Sequence, residues 1–179
     1  MFLDGTYFQG ELSIPNFKFR SRETSGVAAI VQAVGESSLE WFVGKYEEEF
    51  LVNILGRGLY EKWIGGLEDE ESETYSYWTE LRDRIFIRKG NYGYSPVANY
   101  VYYWLMRNGN TRTSSVGEVK ARIDHADVVD VRHKLVKAWN DMRQMIEGIH
   151  RFILKHPERY GMLERECLDW FHPINLFNI

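Results

Sequence analysis

Between Val131 and His156 the apolar residues Leu135, Trp139, Met142, Ile146, Ile149 and Ile153 recur in alternating steps of four and three. Only an α-helix places such residues on one stripe. Lys134, Lys137, Asp141, Arg143, Glu147 and Arg151 fall on the other face, which is therefore predicted to be wet. A helix over residues 131–156 with this heptad-like seam has to pack against another helix, in its own chain or in a neighbour. The fold class expected is mainly α: a helical bundle with one long helix, an extended N-terminal arm over residues 1–20 and an irregular C-terminal tail. Residues 1–179 are expected to form a single helical domain, with 157–179 as a C-terminal extension.

The rest of the chain reads as shorter helices between breaks. Leu12, Ile14, Phe17 and Phe19 are apolar around Pro15, which rules out a helix and suits an edge strand or extended strap. Thr24–Ala33 is predicted as a short helix ending near Gly35. A second is predicted to start at Ser37 or Ser38, with Glu40 placed to complete a capping box, and to end at Gly56. A further helical piece follows over Arg57–Gly65. The acid run at residues 68–73 is predicted as a solvated loop. Tyr75–Ile87 is predicted helical, and Lys89–Tyr94 is a break rich in turn formers. Ser95-Pro96 then gives a helix start, a serine cap before proline at the first helical position. That helix carries Val97, Tyr100, Val101, Trp104 and Leu105 on one face and Tyr102 and Tyr103 elsewhere, so it is expected to be buried on more than one side. Thr111–Gly117 is predicted as a polar loop, Glu118–Ala126 and Glu158–Trp170 as short helices, and Phe171–Ile179 as an apolar tail.

Hydrophobic residues make up 44% of the chain, enough for a globular core. Aromatics reach 15%, with 6 Trp and 11 Tyr, which fits either an assembly surface or a small core filled with large rings. The single cysteine, Cys167, excludes an intramolecular disulfide; the acids around it should raise its pKa and leave it inert, in keeping with a reducing compartment. No signal peptide and no membrane-spanning run are read from the sequence. A net charge of −4 argues against general affinity for nucleic acid. The charge is uneven: Glu36–Arg82 is strongly acidic and Arg112–Arg159 is net basic, an asymmetry that could pair copies head-to-tail.

No nucleophile elbow, phosphate-cradling glycine loop or dinucleotide fingerprint occurs. No two of the five histidines stand three or four residues apart, as a helical metal-ligand pair would require. Asp124, His125 and Asp127 form the densest acid–base cluster, yet such residues also serve as caps and turns. Neither a cofactor nor a metal is expected.

Several stretches, in order along nearly the whole chain, resemble a family of phage and prophage proteins related to head–tail connector (adaptor, head-completion) proteins. They are Tyr7–Leu12 with Ile14-Pro15-Asn16; Lys45–Leu51 with Ile54-Leu55-Gly56 and Leu59-Tyr60; Tyr94-Ser95-Pro96 with Asn99–Trp104; Thr111–Val119; Lys134–Asn140; and Ile174–Ile179. These are packing patterns rather than catalytic signatures. The resemblance implies a helical, non-enzymatic virion protein that forms a homo-oligomeric ring, often twelve-fold, under the portal protein and above a tail-completion or stopper protein. DNA would pass through its channel without specific binding, which suits an acidic chain. Assembly would take place in the host bacterial cytoplasm. The expected contact residues are Phe17, Phe19, Tyr102, Tyr103, Thr111, Arg112, Thr113, Ile174, Leu176 and Phe177. The alternative is a small prophage-encoded helical enzyme or regulator with its site near Asp124, His125 and Asp127.

Overall fold

The computed structural model describes residues 1–14, 27–109, 111–114, 117–120, 132–169 and 171–175, with backbone alone at 27–38, 109, 111–114 and 117–120. The fold is mainly α. Two 3-10 turns, Gly5–Tyr7 and Gly10–Leu12, precede α1 (Val27–Leu55), α2 (Arg57–Glu68) and α3 (Tyr75–Ile85). A hairpin of β1 (Ile87–Lys89) and β2 (Tyr92–Tyr94) leads into α4 (Pro96–Gly109). A second hairpin, β3 (Thr111–Ser114) and β4 (Gly117–Lys120), is followed by α5 (Arg132–Lys155), α6 (Pro157–Tyr160) and α7 (Arg165–Asp169).

The predicted long helix is α5, and its phase is as expected. Leu135, Met142, Ile146, Ile149 and Ile153 are all buried, with Trp139 half-buried beside them. Ala138, His150 and Phe152 widen the buried stripe. Its main partner is α4, which lies between α5 and α1. Ser95 caps α4 through its Oγ, which accepts from the Val97 amide at 3.2 Å, and Pro96 takes the first helical position. Burial of Val97, Ala98, Tyr100, Val101, Tyr102 and Tyr103 leaves α4 enclosed on two sides, as its wide apolar face requires. Asn99 spans the α4–α5 seam, its Nδ2 donating to the Ala138 carbonyl at 2.9 Å.

Gly35 does not divide the first helix in two; α1 runs unbroken through it and through Ser37. One glycine costs a helix about 1 kcal/mol relative to alanine, too little to interrupt a run of this length. The predicted stop at Gly56 is met. Gly56 sits at φ +79°, a left-handed backbone that glycine adopts without strain. Its N–H donates to Val52 O at 2.8 Å and its carbonyl accepts from Tyr60 N at 3.0 Å, so one residue closes α1 and opens α2. The last carbonyls of a helix lack helical donors. That of Ile54 takes one from His150 Nε2, 2.8 Å away, in the α5 core stripe.

The chain start is a strap over its own core rather than a free extended arm. Leu3, Tyr7, Phe8 and Ile14 are buried. The buried carboxylate of Glu47 on α1 accepts from the Phe2 amide at 2.9 Å and the Leu3 amide at 3.0 Å. Phe2 stacks on both Trp63 and Phe86, with centroids 5.2 and 5.0 Å apart.

Four further expectations are corrected. Thr111–Ser114, read as loop, pairs as a strand with Gly117–Lys120, with Thr111, Arg112 and Thr113 opposite Lys120, Val119 and Glu118; the predicted helix at Glu118 is thereby replaced by strand, and residues 115, 116 and its continuation from residue 121 lie outside the described residues. The predicted helix Glu158–Trp170 is split into α6 and α7 by Gly161 at φ +78°. The beginning of the tail docks on the core instead of standing free. Phe171 is buried against Phe50 and Trp139, with centroids 5.3 and 5.6 Å apart. Trp139 Nε1 donates to His172 O at 2.8 Å. The Asn140 side chain pairs with the Ile174 backbone in both directions, at 3.1 and 3.2 Å.

Candidate functional site

A groove of about 910 Å³ is walled by the two 3-10 turns, β2, the start of α4 and the first half of α5. Its location follows from local chemistry. The Gly90-Asn91 turn, with Gly90 at φ +61°, folds β2 back on β1 and places Tyr92 and Tyr94 at the rim, 55% and 50% exposed. Leu12 and Met145 add half-buried apolar surface. Lys137 Nζ is held by Glu11 Oε2 at 2.9 Å and Asp141 Oδ2 at 2.5 Å, which raises the lysine pKa and ties the second 3-10 turn to α5. Lys134, exposed on the same helix, makes no ion pair among the described residues. The walls thus offer aromatic faces, side-chain amides, the Glu11–Lys137–Asp141 ion-pair network and the exposed ammonium of Lys134.

Outside the groove, α1 and α4 share a second aromatic surface. Trp41, Phe42 and Tyr46 follow one another along α1, and Tyr46 stacks on Trp104 with centroids 5.8 Å apart. Tyr100 and Trp139 continue the cluster inward. Burial pushes the Tyr100 phenol well above its ordinary pKa, and its hydroxyl donates to Glu49 Oε1 at 3.1 Å.

Of the expected contact residues, six fall among the described ones. Tyr102 and Tyr103 are 2% and 4% exposed in the core of the single chain, so neither offers a face to a partner in this conformation. Their rings fill the space around α4 instead. Thr111, Arg112 and Thr113 lie on β3. Ile174 is held by Asn140. Phe17, Phe19, Leu176 and Phe177 lie outside the described residues, as do Asp124, His125 and Asp127. Tyr92, Tyr94, Asn99 and Lys134 were not singled out by sequence reasoning as a group; only the Gly-Asn pair between Ile-Arg-Lys and Tyr-Gly-Tyr signals the hairpin that positions two of them.

Cys167 is free and buried, and its thiol pKa is raised, first by burial and then by Glu164 and Glu166. Among the described residues no cluster of metal-ligating side chains occurs, and no helix is long and apolar enough to cross a membrane. No protein-family model, curated protein or solved structure matches the chain.

His150 gives this core a pH dependence. Its Nε2 must carry the proton, because the Ile54 carbonyl only accepts. Burial lowers its pKa below the ordinary value of 6.5. The unfolded chain therefore binds this proton at higher pH than the folded one. The contribution is complete above pH 6.5 and is lost as pH falls from there toward the folded-state value. Urea melts should show stability declining across that window, and His150→Gln should flatten that part of the profile. An unchanged profile in the variant would assign the decline to other groups.

Proposed function

We propose that this chain is a structural virion protein of a phage or prophage, a head–tail connector that forms a ring beneath the portal and extends the DNA channel toward the tail. The observation that carries the reading is the ordered series of connector-like sequence blocks from Tyr7 to Ile179. Their placement supports it. Lys45–Leu51 lies on α1, Asn99–Trp104 on α4 and Lys134–Asn140 on α5, and the three blocks meet in the cluster of Tyr46, Tyr100, Trp104 and Trp139. The resembling residues thus specify a packed scaffold, the requirement of an architectural protein. The acidic balance fits a channel that must let DNA slide.

The isolated chain is expected to be monomeric or weakly associated and to close into rings on a portal template. Each contact between copies is small, and ring closure supplies the avidity. Sedimentation velocity with and without the portal protein of the same genome tests this. The expected result is a slow species alone and a large, fixed-stoichiometry complex with portal. Failure to bind the portal or any tail-completion protein of that genome would overturn the reading.

A further inference from the structure

Trp41 is 58% exposed, more than any other aromatic ring among the described residues. Phe42 meets its edge at 5.0 Å and the Lys45 ammonium lies 4.9 Å from its ring centre, so the indole is held in place on the surface of α1. Beside it Glu40 is exposed and makes no ion pair among the described residues. A tryptophan fixed in solvent has unfavourable hydration that a pocket would relieve. Trp41 does not line the large groove of its own chain, which is walled by the 3-10 turns, β2, α4 and α5.

The groove has the matching properties. Tyr92 and Tyr94 offer exposed rings, Leu12 and Met145 offer apolar surface, and Lys134 is a cation that makes no ion pair among the described residues. Its volume of about 910 Å³ is ample for an indole ring. We infer that Trp41 of one copy seats in this groove of the next copy, with Glu40 facing Lys134. The occupant is a second copy because this one chain carries both halves of the match, in aromatic character and in charge. Knob and groove are different surfaces, so the contact is heterologous; repeated with a closing rotation, it makes a ring. The inference deepens the connector reading and takes its biological use from it.

Photocrosslinking tests the contact directly. The photoreactive residue p-benzoylphenylalanine replaces Trp41 in the full chain, and isotopically labelled and unlabelled chains are mixed so that adducts between copies are recognised by mass. Irradiation is carried out at the highest soluble concentration, alone and with portal protein. Adducts between copies on Tyr92, Tyr94 or Met145 are expected. Adducts only within one chain, only elsewhere, or absent under both conditions overturn the proposal. Glu40→Lys and Lys134→Glu should each lower the yield several-fold, and the double variant should restore it. A double variant as poor as either single one would overturn the assigned orientation. Thermal melts of the exposed variants report folding separately. Groove adducts from a chain that ignores the portal would keep the contact and remove the connector reading. Portal binding with adducts elsewhere would do the reverse.

Discussion

Replacing Ile146 with aspartate should cost on the order of 3 kcal/mol or more and lower the melting temperature by about 6–12 °C. Ile146 is 4% exposed, between Met142 and Ile149 on the buried stripe of α5. A carboxylate there would have to give up water without a cation to replace it, or take up a proton and leave its hydroxyl seeking a partner. The α4–α5 seam is a principal packing surface of the fold, so the loss is expected to be global rather than a local loosening. Differential scanning calorimetry with far-UV circular dichroism reads it. An unchanged melting temperature would mean that Ile146 faces water and that the helix phase is wrong.

Phe171→Ala should cost about 3 kcal/mol, the lower end for a buried phenylalanine because a segment near the chain end can partly close the gap. The ring lies among Phe50, Tyr100 and Trp139, so its removal leaves a void where α1, α4 and α5 meet. The bonds of His172 and Ile174 to Trp139 and Asn140 depend on the same docking. Urea melts are the measurement, with Met162→Ala as the control, since Met162 is 85% exposed and its change should be small. If both variants melt with the parent, the docked segment from Phe171 to Ile174 contributes nothing to the fold and its docking is incidental.

The parts of this fold that were legible in the sequence are those decided by local rules. The seam from Leu135 to Ile153 announced α5 because six apolar residues in one helical phase have no strand counterpart. Ser95-Pro96 and Gly56 gave boundaries because a hydroxyl cap, a donorless imino acid and a left-handed backbone each act within a few residues. Where the sequence misled, long-range packing or strand pairing had overruled a weak local signal. Gly35 read as a stop, but the helix absorbed it. Thr-Arg-Thr-Ser read as loop, although threonine suits a strand once a partner such as Glu118-Val119 is opposite. The buried carboxylate of Glu47 gave no signal, because its donors are backbone amides at the other end of the strap. The groove was invisible for a similar reason: Leu12, Tyr94, Asn99 and Lys134 share no periodicity and meet only after four elements pack. The wide apolar face of α4 pointed to burial on more than one side, and Tyr102 and Tyr103, also read as contact residues, lie in the core of the single chain.

The central claim is that this chain is a built-in part of a virus particle, and the composition of purified particles tests it most directly. Particles produced from the genome that encodes the chain would be purified by density gradient, and their proteins quantified by mass spectrometry against labelled standards. The account predicts the chain in every tailed particle, in a fixed ratio to the portal protein of that particle, and retained after washing at high salt. Its absence from particles, or an amount that varies between preparations and washes away, would contradict the account.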